Sequence, residues 1–166
     1  MPLSTPQAFK LEHEEIRDAL IHASHEEGAI GEAARRVARI IESHVEKEEA
    51  FALPPLGLFE ELARGERPAA AGEALDMIEH LREELDNMLA EHRMIVAALE
   101  EFLQAARARG SVEHVELASK LIAHTRMEGH VLYPAALVLG DYLKLRYGIA
   151  ANPARRAPGR SSTTTA

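Results

Sequence analysis

His44-Val45-Glu46-Lys47-Glu48 and His124-Thr125-Arg126-Met127-Glu128 decide how this chain reads. Each sets a glutamate four residues after a histidine, and positions i and i+4 share one face of a helix. Working outward, Glu12-His13 with Ile16, Ala19 and Leu20 matches Glu91-His92 with Ile95, Ala98 and Leu99. The interval from His13 to His44 is 31 residues and that from His92 to His124 is 32. Pro54 and Pro134 each lie ten residues past the second histidine. The two halves are therefore one unit repeated: a helical hairpin with His on its first helix and His-x-x-x-Glu on its second.

Hydrophobic spacing supports the same division. Phe9, His13, Ile16, Leu20 and Ala23 step by fours and threes, the seam of a core-facing helix that starts after Pro6. Gly28 and Gly31 mark a turn. Val37, Ile41, His44, Glu48 and Phe51 form the second seam, ended by Pro54 and Pro55. After an irregular or helical piece at Leu56 to Ala63 and a turn at Gly65 to Pro68, a long third helix is predicted from about Ala70 to Arg109. Gly110 closes it, and Ser111 suits the N-cap of a fourth helix. That helix carries Leu117, Leu121, His124 and Glu128, with Pro134 expected to kink or restart it. A last helical piece follows, Ala135 to Tyr147. The fold expected is an all-α, up-down-up-down four-helix bundle of residues 6–147, with a short extra C-terminal helix and a disordered tail at 148–166.

Composition agrees. Nearly half of the 166 residues are apolar, 46%, yet only 4% are aromatic, so helix formers rather than strand formers fill the core. The net charge of -8 speaks against nucleic acid and anionic membrane as partners. No apolar run is long enough to span a bilayer, and Met1 to Phe9 lacks the pattern of a secretory signal, so the expected location is the cytoplasm. With no cysteine, thiol chemistry and thiolate metal sites are excluded.

One histidine on a core seam is usually just a hydrogen-bonded core residue. Here every seam carries one. His13 stands roughly 16 residues before the first turn and His44 roughly 15 after it, about 23 to 24 Å along each helix at 1.5 Å per residue. His92, His124 and Glu128 match in the second hairpin. Four imidazoles and two carboxylates meeting in a core need a partner, and a cation supplies it. The candidate ligands are His13, His44, Glu48, His92, His124 and Glu128. Nitrogen and oxygen donors without sulfur suit iron, with manganese or zinc possible. Six ligands exceed one tetrahedral zinc and divide between two ions, leaving positions for an oxo or hydroxo bridge and an exogenous ligand.

The remaining histidines, His22, His25, His80, His114 and His130, read as exposed or at the edge of the core. Glu12, Glu14, Glu49 and Glu91 adjoin ligands but read as sideways surface charges. Met88 and Leu85 read as pocket-lining core residues.

These motifs, with Leu132-Tyr133-Pro134, resemble the hemerythrin-like family, also called the HHE cation-binding domain, over residues 9 to about 137. The resemblance implies a bundle around a non-haem di-iron site. It implies that Glu48 and Glu128 bridge the irons, that His13 and His44 bind one, and that His92 and His124 bind the other. Oxygen-carrying hemerythrins have two His four apart on the third helix, whereas Met88 and Val96 flank His92 here. The four-His, two-Glu version is similar to bacterial proteins linked to nitric oxide or oxidative stress, iron handling and redox sensing. The function expected is binding or reaction of a small ligand: oxygen, nitric oxide or peroxide. The alternative is an iron-responsive sensor or iron-handling protein whose metal controls folding and partner binding. Ferritin-like oxidases use Glu-x-x-His, and no Glu lies three residues before any of the nine histidines.

Overall fold

The computed structural model describes residues 3–152. Among them every regular element is helical, and four long helices make the bundle: α1 (Gln7–Ser24), α2 (Ala29–Lys47), α4 (Ala71–Arg109) and α5 (Val112–Met127). A short α3 (Phe59–Ala63) precedes α4, and α6 (Tyr133–Tyr147) follows α5. No helix of the described residues is long and apolar enough to cross a membrane.

The turns follow from local chemistry. Gly28 has φ +77°, a left-handed conformation that bridges α1 to α2. Gly31 lies inside α2, and a Cβ there would stand 1.8 Å from the carbonyl oxygen of Glu26, so only glycine lets the hairpin close so tightly. Ser111 takes the N-cap position of α5, but its Oγ meets Nδ1 of His114 at 2.6 Å instead of a backbone N–H. His114, expected to be exposed or at the edge of the core, is buried and packs edge-on against Phe102.

The prolines act where the repeat puts them. Past each His-x-x-x-Glu the helix widens into one π turn, Glu48–Ala52 and Glu128–Leu132. There the N–H groups of Leu53 and Tyr133 reach five residues back, to the carbonyls of Glu48 and Glu128. Pro54 then opens a 3-10 turn, Pro54–Leu58, and Pro134 sits in the first turn of α6. Proline has no N–H to donate and crowds the carbonyl four back, so the ladder shifts register just before it.

Two apolar layers enclose the middle of the bundle. Toward the hairpin turns lie Ile16, Leu20, Val37, Ile41, Ile95, Leu99, Phe102 and Leu121. Beyond the histidines lie Phe51, Leu53, Leu81, Met88 and Tyr133. The N-terminal half of α4 extends past the bundle and is covered by α6. There Gly140 allows close approach, because a Cβ would stand 2.6 Å from Cγ2 of Ile78. Gly148 ends α6, Ile149 packs on the same apolar cluster, and the N–H of Asn152 donates to Oδ1 of Asp76 at 2.5 Å. Residues 148–152 thus leave the helix yet stay against α4. The rest of the expected tail, 153–166, lies outside the described residues.

Candidate metal centre

The structure brings all six sequence-derived candidates together between the two apolar layers. His13, His44, Glu48, His92, His124 and Glu128 are all buried, the least so at 7% exposure. The heptad-like seams turn each of them inward, and the hairpin arithmetic sets them at one level.

The imidazoles pair otherwise than the resemblance implies. His44 of α2 faces His92 of α4, with ring centroids 4.6 Å apart, and His13 of α1 faces His124 of α5 at 5.7 Å. Each pair takes one histidine from each hairpin. The reason is packing: α2 lies against α4, and α1 meets α5 across the other side of the bundle.

The carboxylates span the pairs. Glu48 presents Oε1 to His44 Nε2 at 3.4 Å and to His92 Nε2 at 3.7 Å, while its Oε2 lies 3.6 Å from Nε2 of His13. Glu128 presents Oε1 to His124 Nε2 at 2.8 Å and to His13 Nε2 at 3.6 Å, and Oε2 to His92 Nε2 at 3.6 Å. Two donor groups result, His44-Glu48-His92-Glu128 and His13-His124-Glu128. Donors about 2.1 Å from one ion stand about 3 to 4 Å apart; the carboxylate–imidazole distances here run from 2.8 to 3.7 Å, and within each group the donor atoms all lie within 4.8 Å of one another.

Electrostatics point the same way. Burial lowers the pKa of His13, His44 and His124, but the glutamates beside them outweigh it and hold all three above the ordinary histidine value. Burial would raise that of Glu48, yet His44, His92 and Tyr133 hold it well below the usual carboxylate range. Nε2 of His13, Nδ1 of His124 and Oε1 of Glu128 remain buried with no hydrogen-bond partner. Each such orphan costs about 1–3 kcal/mol. A cation at the centre of the donors removes two of these, on His13 and Glu128, at once.

Three glutamates expected on the surface belong to the site. Nδ1–H of His13 donates to Oε1 of Glu49 at 2.9 Å, and Nδ1–H of His44 to Oε2 of Glu91 at 2.7 Å. Oε1 of Glu12 lies 3.1 Å from Nδ1 of His124, at ion-pair distance without hydrogen-bond alignment. Carboxylates on the outer nitrogen fix which ring nitrogen faces inward. Glu91 is also paired with Lys47. Only Glu14 stays exposed, as expected.

Tyr133 entered the sequence reading only within the Leu132-Tyr133-Pro134 motif, with no role at the site. It is fully buried, donates its hydroxyl to Oε1 of Glu48, and brings Oη to 3.1 Å from His92 Nε2 and 3.3 Å from His44 Nε2. Burial, then Glu48, push its phenol pKa up, so it stays protonated and donates. The signal was present: the repeat aligns Tyr133 with Leu53, and a buried phenol in place of a leucine needs a polar partner. Of the other histidines, His22, His25 and His130 are exposed, and His80 stacks on Phe51 at 4.4 Å.

What the fold and the site define is a helical bundle with a buried His/Glu group able to hold a metal ion. Comparison with known protein families, with curated proteins and with solved structures finds no match in any of the three.

Proposed function

We propose that this chain is a non-haem di-iron protein of the hemerythrin-like kind that binds or reacts with oxygen, nitric oxide or peroxide. The observation that carries the reading is that Glu48 and Glu128 each offer one oxygen to the His44/His92 pair and the other to the His13/His124 pair. His44 and His92 would hold one iron and His13 and His124 the second, with both carboxylates shared. Bound there, two irons supply redox and Lewis-acid chemistry toward a small ligand.

The chain's own groups serve that chemistry by position. Glu49 and Glu91 accept from the outer nitrogens of His13 and His44, and Glu12 lies at ion-pair distance from that of His124, which leaves the inner nitrogens free to bind. Tyr133 donates to Glu48 on the His44/His92 side alone, so the two halves of the centre are unlike. Two imidazoles for each ion leave coordination room for an added ligand. The apolar layers around it exclude water and favour a small uncharged molecule.

Titrating iron-loaded protein with nitric oxide and with hydrogen peroxide, followed by absorption spectroscopy, tests this. Saturable changes, lost in His44→Ala, are expected. An iron-loaded protein whose spectrum responds to neither ligand contradicts it. The second reading, an iron-responsive sensor, is favoured by the buried polar atoms left without partners, since they tie stability of the bundle to the ion.

A further inference from the structure

Three of the four inward-facing imidazoles have a carboxylate at the outer nitrogen: Glu49 for His13, Glu91 for His44 and Glu12 for His124. Among the described residues no carboxylate meets Nδ1 of His92. Its Nε2 faces the cluster, 3.1 Å from Tyr133 Oη, so Nδ1 points out of it. The repeat gives the reason. Glu49 follows Glu48 as Gly129 follows Glu128, so the residue that would serve His92 as Glu49 serves His13 is a glycine. A Cβ built at Gly129 would stand 3.0 Å from Nδ1 of His92.

Other protein does not refill the place. A cleft of about 410 Å³ between α4 and α5 is lined by both His92 and Gly129. The matching cleft between α1 and α2 is about 240 Å³ and ends at His13, whose outer nitrogen Glu49 already covers. Leu89 and Val96 give the larger cleft apolar walls. Arg93 and Arg126, both exposed, flank it, one from each helix. Its one carboxylate, Glu100, stands eight residues from His92, about 12 Å along α4 at 1.5 Å per residue.

We infer that the α4–α5 cleft binds a small aliphatic carboxylate from solution, which accepts from Nδ1–H of His92 in the place Glu49 takes at His13. The guanidinium groups of Arg93 and Arg126 draw the anion in, and its short hydrocarbon lies on Leu89 and Val96. An acceptor on the outer nitrogen raises the basicity of an imidazole. The occupant therefore adjusts one half of the centre and not the other. The site rests on the geometry around His92 and goes beyond the reading of which metal the cluster holds.

Calorimetric titration of the purified protein with sodium butyrate, against sodium chloride at matched ionic strength, tests the inference. One saturable site per chain is expected. Arg126→Glu, a change on an exposed side chain, should weaken it at least about tenfold, and Gly129→Ala should do the same by crowding His92. Both variants should keep the native helical circular dichroism. No saturable heat beyond the chloride control up to tens of millimolar overturns the inference, as does equal binding by the native chain and Arg126→Glu. Metal content measured separately keeps the two readings apart: a chain that binds butyrate at this cleft but holds no iron sinks the proposed function and leaves the anion site standing.

Discussion

Nδ1 of His44 lies 2.7 Å from Oε2 of Glu91, although His44 is on α2 and Glu91, 47 residues on, is on α4. The bond crosses between hairpins and fixes the ring that faces the cluster. Glu91→Gln keeps the shape but removes the charge. Metal affinity should fall roughly 10- to 100-fold, with the fold intact. Chelator competition on the purified variant checks this, and an unchanged affinity would reduce Glu91 to a partner of Lys47 alone.

Tyr133→Phe deletes the hydroxyl that donates to buried Glu48. An acceptor left without its donor in the core costs about 1–3 kcal/mol. Urea unfolding of the variant should show a loss of that size. The optical spectrum of the iron-loaded form should shift as well, because Glu48 is a ligand candidate and Tyr133 sits on one half of the centre only.

The pH behaviour of the metal-free and loaded chains should diverge. In the metal-free fold burial depresses His13, His44 and His124 but the nearby carboxylates raise them further, above the value of the unfolded chain. Their contribution to stability is thus fully present below about pH 6.5, the ordinary histidine value. It is lost as pH rises through the folded values. An ion must displace those protons, so metal uptake should release protons and weaken as pH falls. Calorimetry in buffers of different ionisation enthalpy measures the release. Uptake without it would contradict the assignment of these imidazoles as ligands.

Gly140→Ala drives a methyl to 2.6 Å from Cγ2 of fully buried Ile78. Overpacking of this kind costs about 1–3 kcal/mol. Thermal unfolding should show the loss, with metal stoichiometry unchanged because this contact lies beyond the cluster along α4. In combination with Ile78→Ala the penalty should be less than the sum of the two, since the clash is gone.

The bundle and the six clustered residues were legible because both rest on spacing within a helix. His13 with Ile16 and Leu20, or His44 with Glu48, declare one face by arithmetic alone. Which helix that face meets is not a property of the helix, and so the pairing of His44 with His92 across hairpins had to come from packing. The outer carboxylates escaped for a related reason. Glu91 is one residue from His92, about 100° around the helix. That direction looks like the surface from within α4 but in the bundle it points at α2 and His44. The π turns had only the aligned Pro54 and Pro134 as their trace, and Tyr133, quoted within the Leu132-Tyr133-Pro134 motif, was given no role because spacing along its helix says nothing of which buried group its hydroxyl meets.

Counting metal per chain in protein purified from iron-supplemented cells tests the central claim most directly. The account predicts about two irons, both lost together in Glu128→Ala, because Glu128 faces both histidine pairs. A folded, heat-stable chain with near-zero metal would contradict it and leave an unusually polar core with no ion to explain it.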